Sequence, residues 1–330
     1  LPEIARSRGK RLCLTLHDFW MMCQRVHFYI EPEHKMCSGP DSADKCARCL
    51  QGSAWTGLSQ LDRERTESLV NRRVAHSKQC MEMMDVVIAP SRYLADKFAA
   101  YGFSPSRGIE VCALGLKPVA RMESAPARAA GPVRFGFLGT IHPLKNVHLL
   151  AGAFAKVAGS ASLSFHGMGK QEHIDSLVSD VSQDPRMRYA GKYGPDDLSR
   201  ILSGLDVVIV CSITENYPLV VREALSAGVP VLASRVGGIP EIIEDGVTGL
   251  LFEPERPGEL TACIQSLVDN PGRVAAFKAA IGSVKTMDEE AKEWSARYGI
   301  LADTIHRPRF GAGVGDQAIR MNQKPLPPSK

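Results

Sequence analysis

Two carboxylates eight positions apart, Glu215 and Glu223, define the segment best suited to hold a polar ligand. They lie within Ser212-Ile213-Thr214-Glu215-Asn216-Tyr217-Pro218-Leu219-Val220-Val221-Arg222-Glu223-Ala224-Leu225, directly after the apolar stretch 206–210. A run of that kind suits a strand buried in a parallel sheet, and ligands bind beyond the carboxyl ends of such strands. Pro218 fits the first turn of a helix, where its missing N–H is not needed. The remaining N–H groups of that turn can hold a phosphate or sugar oxygen. Carboxylates accept hydrogen bonds and donate none, which suits the hydroxyls of a sugar and a ribose. Asn216, Tyr217, Pro218 and Leu219 are expected in the same crevice. A bare pair of glutamates at this spacing also occurs by chance in many helices.

A second segment, Gly136-Phe137-Leu138-Gly139-Thr140-Ile141-His142-Pro143-Leu144-Lys145-Asn146, ends a strand at Gly139 and places Lys145 at the start of a helix. A lysine beside a helix N-terminus can bind a diphosphate without a metal. No Asp-x-Asp occurs in the sequence, which agrees with metal-independent chemistry. His142 is either a further phosphate contact or an ordinary loop residue. In the front half, Leu14-Thr15-Leu16-His17-Asp18-Phe19-Trp20 ends an apolar strand with a histidine, more often a satisfied strand-end residue than a functional one. Cys23, Cys37, Cys46 and Cys49 contain one Cys-x2-Cys pair. They could bind a single tetrahedral zinc, remain free thiols, or form disulfides.

The elements that must carry these residues are legible mainly in the back half. From about residue 132 strands alternate with helices: 133–138, 162–166, 186–189, 206–210, 230–233 and 249–252 read as strands. Between the first two, Val147, Leu150, Ala151, Phe154 and Val157 fall on one helical face. That rhythm predicts a doubly wound parallel sheet of the α/β class. In the front half, strands are expected at 11–16 and 85–89, and a helix over 93–101 after Pro90-Ser91. Ser91 is a natural N-cap. Residues 119–131 read as a linker and 308–330 as a disordered tail. Ala291, Trp294, Tyr298, Leu301 and Ile305 mark an amphipathic C-terminal helix.

Composition sets the outer bounds. The 330 residues are 44% hydrophobic and 23% charged, which suits a soluble chain of two domains with no membrane span. A net charge of +4 is too small to argue for nucleic acid. The basic excess sits in residues 1–125 and fits an anionic substrate or weak membrane-surface association. The odd total of 9 cysteines argues against a secreted disulfide framework. Cys13, Cys80, Cys112, Cys211 and Cys263 read as buried small apolar residues. The start at Leu1-Pro2-Glu3, with no apolar signal core, predicts a fragment without a secretory address.

The segment from Glu215 to Glu223 resembles the Glu-x7-Glu element of glycosyltransferase family 4, which has the GT-B fold. Gly228-Val229-Pro230-Val231-Leu232-Ala233-Ser234, Gly237-Gly238-Ile239-Pro240-Glu241-Ile242-Ile243 and Gly246-Val247-Thr248-Gly249-Leu250-Leu251 are similar to the elements that follow it there. The likeness covers roughly residues 1–305. It implies two Rossmann-like domains facing a cleft: an incomplete N-terminal acceptor-side domain (1–125, with a Cys-rich insertion at about 20–50) and a nucleotide-sugar domain (132–288), followed by a helix (289–306). It also implies a retaining hexosyltransferase using a UDP- or GDP-sugar, a saccharide or lipid-linked acceptor, no catalytic cofactor and a cytoplasmic setting, with polysaccharide biosynthesis as the context.

By the same resemblance, Glu215 would contact the donor sugar and Glu223 the ribose. His17 would lie in the cleft beside the sugar, and Pro90–Leu94 would start a helix facing it. The family usually has an arginine where Thr140 stands, beside the lysine, and this chain lacks the family's first βα units and their glycine-rich loop. Two alternatives follow: a GT-B-fold nucleotide-sugar epimerase, or a degenerate subunit that binds only nucleotide-sugar or a partner.

Overall fold

The computed structural model describes residues 1–30, 35–52, 58, 60–119 and 131–303. The expected linker (apart from its end residues 119 and 131), the tail and Ile305 lie outside the described residues. Strands in the front half are β1 (Cys13–Thr15), β2 (Tyr29–Ile30), β3 (Lys35–Met36), β4 (Val86–Ala89) and β5 (Glu110–Val111). Helices there are α1 (Pro2–Ser7), α2 (Ala43–Gln51), α3 (Arg63–Glu82) and α4 (Arg92–Ala100). Strands β1, β4 and β5 form a parallel sheet in the order β1-β4-β5, while β2 and β3 pair antiparallel.

The back half holds β6 (Val133–Leu138), β7 (Ala161–His166), β8 (Met187–Gly191), β9 (Val207–Val210), β10 (Val231–Ser234) and β11 (Gly249–Phe252). They form one parallel sheet in the order β11-β10-β9-β6-β7-β8. Its helices are α5 (Val147–Phe154), α6 (Gln171–Val181), α7 (Leu198–Ser203), α8 (Leu219–Ser226), α9 (Glu259–Asp269) and α10 (Pro271–Ala280). One face is packed by Phe135, Phe137, Leu150, Phe154, Phe165 and Leu177, the other by Leu138, Leu202, Val208, Val210, Val221 and Ala224. Both faces are covered, and the central strand β9 is apolar and buried along its whole length. Each Val, Leu or Phe among them contributes about 1.5–3 kcal/mol on burial.

The chain reverses direction across the sheet between β6 and β9, so the loops leaving their carboxyl ends face one another. Such a reversal is where ligands bind in open α/β sheets. At the opposite end Arg134 closes a two-pronged pair on Asp206, with Nε–Oδ2 and Nη2–Oδ1 both at 3.0 Å. Gly167 joins the crevice backbones: at φ +154° it has no room for a Cβ, which would sit 1.7 Å from the Gly139 carbonyl oxygen.

Helix α11 (Met287–Asp303) returns to the front half. Glu290 accepts from the Gly115 N–H at 2.7 Å, and Arg297 reaches Glu110 at 3.4 Å. Among the described residues no helix is long and apolar enough to cross a membrane.

Three local expectations are corrected. Pro218 occupies the N-cap of α8 rather than its first turn, because its ψ of 127° is extended. Lys145 ends a 3-10 turn, Pro143–Lys145, and Asn146 in the left-handed region (φ 52°, ψ 39°) separates it from α5. Cys13 and Cys263 are only partly buried, being at a short front strand and on a surface helix, whereas Cys80, Cys112 and Cys211 are buried.

Candidate functional site

A cavity of about 470 Å³ lies at the β6/β9 crossover. Gly139, Thr140 and Lys145 line it from the loop after β6, and Glu215, Pro218, Leu219 and Glu223 from the segment after β9. Both glutamates and the lysine therefore open onto one space. Lys145 Nζ forms an ion pair with Glu215 Oε1, and Ser212 Oγ donates to the same oxygen at 2.7 Å. The loop bearing Lys145 is held from below by Cys211. Its thiol, pushed up to about 12 by complete burial, donates to the carbonyls of Lys145 at 3.1 Å and Asn146 at 3.3 Å.

Glu223 is differently placed. Burial raises its pKa above the ordinary carboxylate value, with the neighbouring Arg222 opposing. Its side chain makes no hydrogen bond or ion pair with a described residue, so its acceptor capacity faces the cavity. Tyr193, Gly194, Pro195 and Leu198 complete the wall near it. No motif in the sequence marks these four; their place after β8 is the signal that points to them.

Other candidates sit around rather than in the cavity. Asn216 donates Nδ2–H to the His17 carbonyl at 3.1 Å, which ties the His17 backbone to the segment after β9 across the cleft between the two sheets. Tyr217 turns away and lines a separate cavity with Glu241, its ring 4.9 Å from the Arg222 guanidinium. His142 does not line this cavity. Its Nδ1 accepts from the Leu144 N–H at 3.1 Å, and its ring packs against Tyr29 and His173.

Cys23, Cys37, Cys46 and Cys49 all line another cavity, of about 490 Å³, between α2 and the loops around β2 and β3. All four are free thiols. Burial pushes the Cys46 thiol up to about 11, and Cys23, Cys37 and Cys49 add to the effect. The Gly39 N–H points at Cys37 Sγ at 3.4 Å, and Arg25 Nε donates to Cys49 Sγ at 3.0 Å. Among the described residues, no three His, Cys, Asp or Glu side chains are gathered closely enough to hold a metal ion. The donor set suits zinc in kind, and its present spacing does not.

With this geometry established, solved structures give the class. The chain superposes on Anabaena Alr3699/HepE in complex with UDP at a TM-score of 0.64, with 18% identity, covering 89% of this chain and 75% of that one. It superposes on sucrose-phosphate synthase from Thermosynechococcus elongatus at 0.60, with 22% identity over 78% and 66% of the two chains. The fold is GT-B. Residues 132–270 match the family Glycosyl transferases group 1, and the chain carries a domain of that family.

Relatives include the D-inositol 3-phosphate glycosyltransferases of Rhodococcus jostii (strain RHA1) and Mycobacterium sp. (strain JLS). The first is 31% identical over 225 residues, 61% of this chain and 49% of the relative. The second is 30% identical over 229 residues, 65% of this chain and 51% of the relative. The chain thus spans about half the length of these curated relatives.

Proposed function

We propose that the protein transfers a sugar from a nucleoside-diphosphate sugar to a saccharide or lipid-linked acceptor, with retention at the anomeric carbon. The carrying observation is the single cavity onto which Lys145, Glu215 and Glu223 open. Lys145 meets the diphosphate, Glu223 the ribose hydroxyls and Glu215 the hydroxyls of the donor sugar. His17, on the facing segment whose backbone Asn216 holds, donates to the sugar or to charge developing on the leaving phosphate, where a fixed donor favours the transition state over the ground state. A uridine donor is favoured over guanosine because Alr3699/HepE, which shares the fold, has been captured with UDP and glucose.

The decisive experiment is calorimetric titration with UDP and GDP, followed by mass spectrometry of products from a donor panel and NMR of the anomeric proton. A silent titration with every nucleotide would overturn the reading in favour of a degenerate subunit.

A structural zinc on Cys23, Cys37, Cys46 and Cys49 is proposed from the chemistry of four thiols around one cavity. It requires the flanking loops to draw inward. Metal analysis should then return one zinc per chain, whereas four titratable thiols without metal, or mass loss from disulfide formation, would reject it. We place the protein at the cytoplasmic membrane face on its basic front half, and flotation with anionic vesicles tests this.

A further inference from the structure

The turn Gly237-Gly238-Ile239-Pro240-Glu241 lies outside the donor cavity, yet it touches both sides of the cleft. Toward its own sheet it supports the Glu215 loop. The Gly238 N–H donates to the Glu215 carbonyl at 3.1 Å, and Gly237, at φ +59°, passes so close that a Cβ would stand 1.6 Å from that oxygen. Toward the opposite half, a Cβ on Gly238 would meet Ser91 at 3.0 Å. The Glu241 carboxylate accepts from two backbone N–H groups at the start of α4: Arg92 at 2.7 Å on Oε2 and Tyr93 at 2.8 Å on Oε1.

A helix leaves its first N–H groups without partners inside the helix. In α4 the Leu94 N–H is satisfied locally, by Ser91 Oγ at 3.2 Å. The two before it depend on a residue 148 or more positions away in sequence, on the other side of the cleft. A carboxylate at that end also meets the positive pole of the helix.

We infer that Glu241 is a positioning residue: it clamps the start of α4 onto the Glu215 loop, so Glu215 reaches its working position only when the two halves are closed. The inference rests on the placement of Glu215 at the donor sugar. Glu241 does not line the donor cavity, so it acts through Glu215 and not on the nucleotide.

The experiment compares Glu241→Ala, Glu241→Gln and Glu241→Asp. Amide hydrogen exchange should accelerate at Arg92 and Tyr93 in the first two variants and stay unchanged at Leu94. Turnover should fall by roughly tenfold or more, the worth of one charge-assisted hydrogen bond, while UDP affinity stays within about twofold. Glu241→Asp should recover part of both effects.

Unchanged exchange at Arg92 and Tyr93 overturns the clamp. So does a parallel fall of turnover, UDP affinity and thermal midpoint, which would mark a merely structural residue. The exchange arm is read without turnover, so it decides the clamp even if Glu215→Gln remains fully active and the reading of the donor sugar fails.

Discussion

Lys145 and Glu215 form an ion pair across the crevice, although one is assigned to the diphosphate and the other to the sugar. The phosphate that Lys145 is to bind must therefore displace a carboxylate already in place. Both side chains are partly exposed, at 31% and 12%, so the pair is worth only ~1 kcal/mol. Glu215→Gln should free the lysine and tighten UDP binding by about fivefold while lowering turnover. Calorimetry and kinetics on the same variant check both halves, and weaker UDP binding would contradict the competition.

Lys145→Ala should abolish measurable UDP binding and leave uridine binding nearly intact, because the proposed reading puts the nucleoside at the far end, against Glu223 and the wall from Tyr193 to Leu198. Equal loss for both ligands would instead indicate collapse of the loop that Cys211 supports.

Glu223→Gln should weaken UDP and uridine alike, by roughly ten- to a hundredfold, the worth of a hydrogen bond to a charged acceptor. It should also stabilise the protein near neutral pH. Burial raises the Glu223 pKa in the fold, so the stability tied to its proton is fully present below the unfolded value. That stability is lost as pH rises through the folded one. The gain from glutamine should therefore appear near pH 7 and vanish at about pH 4, which thermal melts at the two conditions can test.

Thr140 is exposed and lines the cavity beside Lys145. Thr140→Arg should add a forked donor for the diphosphate, tightening UDP binding with a steeper salt dependence. A flat response would show that residue 140 does not reach the phosphates.

His17→Ala should lower turnover far more than UDP affinity, since the His17 backbone is held across the cleft by Asn216 and His17 does not line the cavity proposed for the nucleotide. Equal losses in both would remove it from the chemistry.

The α/β rhythm of the back half and the crevice residues Gly139, Thr140, Lys145, Glu215 and Glu223 are legible in the sequence alone. These signals are local: apolar strands, a Gly-ended turn and carboxylates at fixed spacing declare themselves within a dozen residues. The Lys145–Glu215 pair, the Cys211 thiol beneath the loop, and the turning away of Tyr217 and His142 were decided by tertiary structure. So was the reach of Glu241 to the start of α4. Each depends on strands β6 and β9 becoming neighbours, or on two sheets meeting, and contacts between residues so distant in the chain leave no trace in local pattern. The four-thiol cavity falls between the two cases: its residues are visible in the sequence, but only folding brings the loops before α2 against that helix around a common space.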